Sequence, residues 1–85
     1  MAERTISVAS EVGLHARPAA TFVQTAAKAP FDVTIAKAGG TPVSAKSILS
    51  VLSLDVRQGE SIVISADGDG AEELLDELAQ IASAS

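Results

Sequence analysis

The chain has 85 residues, a net charge of −5, two aromatic residues and no cysteine. This length predicts a single domain over residues 1–85, with little room for a deep catalytic cleft. The acidic balance and the scarcity of aromatic side chains argue against binding to nucleic acid or to anionic membranes, which needs a basic surface. The absence of cysteine excludes disulfides and thiolate chemistry. No apolar run is long enough to span a membrane and no signal peptide is apparent, so we expect a cytoplasmic protein without membrane insertion.

Three segments alternate apolar and polar residues with the period of a half-buried strand. They are residues 4–10, 31–37 and 60–66. Gly39 and Gly40 predict a two-residue hairpin turn after the second segment, because glycine adopts positive φ freely. The turn leads into a short strand near residues 41–44, and Pro42 predicts that this strand lies at the edge of the sheet.

Apolar residues at helical spacing predict three helices, over residues 16–28, 47–54 and about 70–83. Pro18 fits the first turn of the first helix, where its missing N–H group costs nothing. Ser47 is the predicted N-cap of the second helix. Asp69 and Glu72 have the spacing of a capping box for the third helix, with Asp69 as the predicted N-cap.

The element order β-α-β-β-α-β-α, with one polar face on every strand, predicts an α+β fold. We expect an open-faced β-sandwich, in which a four-stranded antiparallel sheet is covered on one face by three helices.

The single histidine, His15, lies between the first predicted strand and the first predicted helix, within the segment G-L-H-A-R-P-A. The first N–H groups of a helix lack intrahelical partners and carry partial positive charge, so they bind phosphate well. Arg17 adds a planar donor two residues away. A neutral imidazole is a nucleophile for phosphoryl transfer, and the helix dipole and Arg17 both favour the neutral form. From spacing alone, a lone histidine more often only caps a helix or packs, so the residues by themselves favour a structural role and leave the chemical one open.

Other kinds of site have weaker support. One histidine, without cysteine or carboxylates at ligand spacing, is too small a set to predict a metal site. Ser47 is explained by its capping role, although a phosphoryl group there would be tolerated at a helix N-terminus. The following segment, I-L-S-V-L-S-L, has more apolar residues than one buried stripe of a short helix can hold. Some of them must be exposed, and an exposed patch suggests a partner surface.

The segment G-L-H-A-R-P-A, residues 13–19, resembles the active-site signature of the HPr family, the histidine-containing phosphocarriers of the bacterial sugar phosphotransferase system. Residues 46–49 and 51–54, K-S-I-L and V-L-S-L, resemble the second signature of that family, around its regulatory serine. The two signatures have the expected order and separation, and the resemblance covers nearly the whole chain.

This resemblance implies that His15 accepts a phosphoryl group on Nδ1 from phosphorylated Enzyme I and passes it to a histidine of an Enzyme IIA component. Phosphoenolpyruvate is the original donor. Arg17 would pair with the phosphoryl group in transit, and the backbone N–H groups of Ala16 and Arg17 would hold its oxygens. The chain would be a phosphoryl carrier in sugar uptake rather than an enzyme, and it would need no cofactor.

The resemblance also implies a docking surface for these partners. Its residues are Ala16, Arg17, Ala20, Gln24, Ile48, Leu49 and Leu52. Ser47 matches the serine that an HPr kinase modifies in some bacteria, and negative charge added there would oppose transfer at His15. A carrier that docks with several partners in turn is expected to be a monomer.

Three other functions stay open. The first is a regulatory protein of the same fold that signals through Ser47, but members of that kind lack the active histidine. The second is a small-molecule-binding α+β module similar to amino-acid-sensing domains, which would need a pocket that the sequence does not reveal. The third is a carrier for the nitrogen-related branch of the phosphotransferase system, which the sequence does not separate from the sugar branch.

Overall fold

A computed structural model of the chain describes residues 2–8, 16–57 and 59–84. The elements in chain order are β1 (Ala2–Ser7), α1 (Ala16–Ala27), β2 (Val33–Lys37), β3 (Val43–Ser44), α2 (Ile48–Ser53), β4 (Ser61–Ala66) and α3 (Ala71–Ala84). This is the predicted order. The first strand begins two residues earlier than predicted and ends at Ser7, while residues 9 and 10 of the predicted strand lie outside the described residues.

The four strands form one sheet in the order β1-β4-β2-β3, and every neighbouring pair is antiparallel. Ile6 pairs with Ile62, and Ile35 pairs with Ile64. Because side chains alternate between the two faces of a strand, this register brings the isoleucines to a common face. β3 is an edge strand of only two residues, as Pro42 just before it predicts.

All three helices cover the same face of the sheet, and one apolar cluster fills the space between them. The largest fully buried side chains of the helices are Phe22 of α1, Val51 of α2, and Leu75 and Leu78 of α3. On the opposite face, the alternate residues of β4 stay half-buried, and two of the three are serines. The predicted open-faced α+β sandwich is therefore confirmed.

The connection between β2 and β3 differs from the predicted two-residue hairpin, which was wrong. It comprises residues 38–42, and the Gly40 N–H donates to the Lys37 carbonyl at 2.8 Å. Of the two glycines in this connection, only Gly39 has a positive φ, of 81°. Gly39 is the third residue of this four-residue turn, the position at which a type II turn requires positive φ.

The two predicted helix caps have different outcomes. Ser47 is the N-cap of α2, and its Oγ accepts the Ser50 N–H at 3.3 Å, as predicted. In α3 the Leu74 N–H donates to the Gly70 carbonyl at 3.0 Å, so Gly70, with a φ of 86°, occupies the N-cap position. The prediction of Asp69 as the cap was therefore wrong by one residue, and glycine is itself an accepted N-cap.

Candidate functional site

The backbone of Ala16 and Arg17 forms the start of α1. N–H groups in the first turn of a helix lack intrahelical acceptors and carry partial positive charge. No acidic side chain lies in this turn to offset that charge. The position suits an anion bound through backbone N–H groups.

The segment that contains His15, residues 9–15, lies outside the described residues, and the structure describes the backbone on both sides of it. Val8 is fully buried. Its N–H donates to the Glu60 carbonyl at 2.9 Å, and its carbonyl accepts the Gly59 N–H at 2.8 Å. On the other side, Ala16 begins α1. The seven-residue segment therefore connects a buried strand end to a helix N-terminus.

α1 divides into a buried and an accessible face. Ala19, Phe22 and Ala26 are completely buried because their spacing of three and four places them on one side of the helix. Ala20 is half-buried and Gln24 is exposed. These two residues continue the spacing of four that begins at residue 16, so they follow one line along the helix surface.

The second part of the predicted docking surface is the α2 patch, defined here as Ile48, Leu49 and Leu52. Leu49 is 77% exposed, and the other two side chains are more than one third exposed. They are the large exposed apolar side chains in the part of the chain that the structure describes. Val51, by contrast, is 1% exposed and anchors α2 in the core. The prediction that some apolar residues of this helix are exposed is confirmed, and α2 packs against α1.

Ser47 lies at the start of α2 and is half-buried, with its Oγ already accepting the Ser50 N–H. The residue before it makes a contact that the sequence analysis missed. Lys46 Nζ donates to the Ala29 carbonyl at 2.8 Å, in a half-buried position just beyond α1. No sequence signal points to this contact, because it joins residues 17 positions apart through the packing of two helices.

Ion pairs lie elsewhere on the molecule. Arg4 Nη2 is 2.8 Å from Glu72 Oε1, and Arg4 Nε is 3.1 Å from Asp76 Oδ1, so β1 is linked to α3. These two carboxylates raise the pKa of Arg4 through hydrogen bonds and charge. The pKa of Glu60 is lowered by the hydrogen bond from the Arg57 N–H and by Lys37 Nζ at 3.2 Å.

An open hollow of about 490 Å³ lies on the described surface, lined in part by Phe31, Asp32 and Asp67. Ala66 also lines it, and Ala66 pairs with Ala2 at the beginning of β1. None of the residues that line the hollow is a predicted site residue. Within residues 2–8, 16–57 and 59–84, no cluster of histidine and carboxylate side chains is suited to a metal ion. No helix of that part of the chain is long and apolar enough to cross a membrane.

Comparison with known proteins identifies close relatives along the whole chain. A family model described as the PTS HPr component phosphorylation site matches residues 2–84. The chain is 51% identical over 81 residues to the phosphocarrier protein HPr of Streptomyces coelicolor, covering 95% of this chain and 87% of the relative. It is 48% identical over 82 residues to the phosphocarrier protein HPr of Haloferax volcanii, covering 95% and 92%. The crystal structure of a phosphocarrier protein HPr from Bacillus anthracis superposes with a TM-score of 0.87 at 41% identity, covering 95% of both chains.

Proposed function

Because the chain belongs to the HPr family of phosphocarrier proteins, we propose that it acts as one carrier domain whose phosphoryl acceptor is His15. The family carries phosphoryl groups within the phosphotransferase system and does not catalyse a reaction of its own. One observation carries the assignment of the acceptor. His15 is the only histidine of the chain, and it directly precedes a helix N-terminus that has no acidic residue in its first turn.

In the proposed reaction, His15 Nδ1 attacks the phosphorus of the phosphohistidine of Enzyme I. The new N–P bond forms as the donor N–P bond breaks, and the reverse geometry delivers the group to a histidine of an Enzyme IIA component. Arg17 and the N–H groups of Ala16 and Arg17 stabilise the three charged oxygens during transfer. Positioning and charge neutralisation are sufficient for such a step, because phosphoryl transfer needs little covalent assistance from the protein.

The docking surface for both partners combines the α2 patch with Ala16, Arg17, Ala20 and Gln24 of α1. Support comes from the exposure of three large apolar side chains beside α1, on a chain whose other described large apolar residues are at least half-buried. A docking surface made of so few residues is small, and small interfaces are typical of brief contacts with successive partners rather than of permanent complexes. We therefore propose a cytoplasmic monomer of the sugar branch, and transfer assays with sugar-specific and nitrogen-related Enzyme IIA proteins would distinguish the two branches.

We also propose that an HPr kinase modifies Ser47. Ser47 immediately precedes the α2 patch. A phosphoryl group there would add about two negative charges beside the surface that receives Enzyme I. Repulsion of an acidic partner surface would then slow transfer to His15.

The acceptor is tested by incubating the protein with phosphoenolpyruvate and Enzyme I and then recording its intact mass. We expect the addition of one phosphoryl group that is lost in acid, as a phosphohistidine is. His15→Ala should add none while keeping its helical circular dichroism, and Ser47→Ala should still add one. Addition to a folded His15→Ala protein would contradict the proposed acceptor.

A further inference from the structure

Lys46 joins the segment before α2 to the end of α1. Its Nζ donates to the Ala29 carbonyl at 2.8 Å, and the contact is half-buried. Lys46 takes part in none of the ion pairs among the described residues. Its ammonium group is therefore held by a backbone carbonyl and not by a carboxylate.

The Ala29 carbonyl belongs to the turn that ends α1. In that turn the Lys28 N–H donates to the Thr25 carbonyl at 3.2 Å. The Ala29 N–H donates to the Ala26 carbonyl at 3.1 Å. Carbonyls at a helix C-terminus lack intrahelical donors and carry partial negative charge. The last turn of α1 itself has no basic residue, and Lys28, which follows it directly, has an exposed side chain. Lys46 brings a cation from another segment and donates directly to a carbonyl of this helix end.

The backbone on both sides of Lys46 is fixed. Ala45 is completely buried, and its N–H donates to the Val33 carbonyl at 2.8 Å. The Lys46 N–H donates to Ser44 Oγ at 3.2 Å, and Ser47 caps α2. A change at Ser47 would therefore reach α1 through the long side chain of Lys46 more readily than through a shift of the backbone.

We propose that Lys46 transmits phosphorylation of Ser47 to α1, an inference that rests on the proposed modification of Ser47. Transfer from a nucleoside triphosphate forms the Ser47 Oγ–P bond and breaks the bond from the γ-phosphorus to the nucleoside diphosphate oxygen, and the hydroxyl proton passes to a base of the kinase. The product carries a charge of about −1.5 to −2, against about −0.5 for a whole helix C-terminus. The flexible Lys46 ammonium then exchanges the Ala29 carbonyl for the phosphoryl oxygens.

This exchange links the regulatory residue to the docking surface. The α2 patch and the accessible line of α1, residues 20 and 24, belong to different helices. The Lys46–Ala29 hydrogen bond joins the segment that precedes α2 to the turn that follows α1, beside the packing of the two helices. Phosphorylation would loosen this contact, in addition to placing negative charge beside the patch.

The test uses the full chain made by chemical synthesis with phosphoserine at position 47, so that no kinase is required. Amide hydrogen exchange at Lys28 and Ala29 is measured by nuclear magnetic resonance. We expect exchange about twofold to fivefold faster than in the unmodified chain, the size of effect that loss of a cation from a helix terminus produces. Position 47 is distant from these residues in sequence, so their intrinsic exchange rates do not change. The buried amide of Phe22 reports global unfolding and should keep its rate.

Two variants isolate the role of Lys46. Lys46→Met should exchange rapidly at Ala29 without any modification, and phosphoserine should produce no further change. Lys28→Met removes a nearby exposed lysine and should retain the full response at Ala29. If Lys46→Met does not fold, Lys46→Gln, whose shorter side chain cannot extend as far, provides the same comparison.

An unchanged exchange rate in the phosphoserine protein would overturn the proposal, and so would an undiminished response in a folded Lys46 variant. The proposed modification itself is tested separately, by the mass of the unmodified chain after incubation with an HPr kinase and a nucleoside triphosphate. A failure of that assay with a positive exchange result would reject Ser47 as a kinase target and leave the coupling through Lys46 intact.

Discussion

The side of the molecule formed by α1 and α2, the α1–α2 side, exposes large apolar side chains, whereas the side formed by β1 and α3, the β1–α3 side, exposes charged ones. On the α1–α2 side, neither helix has an acidic residue in its first turn, and Leu49 is 77% exposed. On the β1–α3 side, Arg4 reaches across to Glu72 and Asp76, and the exposed surface of α3 is acidic. An exposed apolar patch promotes association with other molecules, whereas exposed charge keeps a protein soluble. We infer that the α1–α2 side contacts partner proteins and that the β1–α3 side stays exposed to solvent.

The largest effect on transfer, after loss of His15 itself, is expected for Arg17→Ala. The proposed role of Arg17 is to neutralise charge on the phosphoryl oxygens, and removal of one such donor typically slows a reaction about a hundredfold or more. Rapid-quench measurement of transfer from phosphorylated Enzyme I would give the rate. Arg4→Ala, on the opposite side, serves as the charge-matched control and should transfer at the normal rate. An unchanged rate in Arg17→Ala would remove Arg17 from the mechanism.

Substitutions at two residues of α2 distinguish an effect on partner docking from an effect on stability. Leu49→Ala should change the free energy of unfolding by about 0.5 kcal/mol or less, because the side chain is mostly in solvent. It should raise the KM for Enzyme I and leave kcat unchanged. Val51→Ala should cost about 1–3 kcal/mol, because its side chain is 1% exposed in the core. Urea titration and steady-state transfer assays measure the two effects. Equal KM values for Leu49→Ala and the unaltered chain would contradict the docking role of the α2 patch.

The sequence predicted the features that depend on local pattern. The period of two in residues 60–66 identified the buried face of β4, and the hydroxyl of Ser47 identified the start of α2. The exact cap of α3 was missed because tertiary packing decides it. A Cβ on Gly68 would lie 2.5 Å from the Phe31 ring, so the chain must pass close to that ring before it enters the helix at Gly70. Local spacing favoured Asp69 and carries no information about this contact.

The candidate site likewise has some features that the sequence predicts and some that it does not. The exposure of the α2 patch followed from counting apolar residues on a short helix, and it is confirmed. The role of His15 stays a prediction that rests on its motif and on its family. The contact between Lys46 and Ala29 joins residues 17 apart, and that between Arg4 and Asp76 joins residues 72 apart. Contacts of this kind appear only after the helices have packed, so periodicity and capping rules do not predict them.

A smaller effect is expected for Arg4→Met, which tests whether the β1–α3 side serves stability alone. The change removes both contacts to α3 and should lower the thermal midpoint slightly, since exposed ion pairs contribute little. The loss should shrink at high salt, because screening already weakens the pairs in the unaltered chain. Calorimetry at two salt concentrations measures it. A large fall in phosphoryl transfer would contradict the division between a contact side and a solvent side.

The smallest effect is expected at Glu60, whose carbonyl accepts the N–H of Val8 just after β1. The Arg57 N–H and then Lys37 lower its pKa in the folded state below the ordinary value of 4.5. A carboxyl with a lowered folded pKa stabilises the protein above its unfolded pKa, and this contribution disappears as the pH falls through the folded pKa. Urea midpoints between pH 7 and pH 3 should therefore fall less steeply below pH 4.5 in Glu60→Gln. Glu77→Gln is the matched control, because Glu77 is exposed, lies beyond the first turn of α3 and forms none of the ion pairs among the described residues. Since Glu60 accepts a hydrogen bond within the turn that fixes the end of β1, an identical acid profile in both variants would mean that the backbone contacts of Val8 hold this strand end without help from the carboxylate.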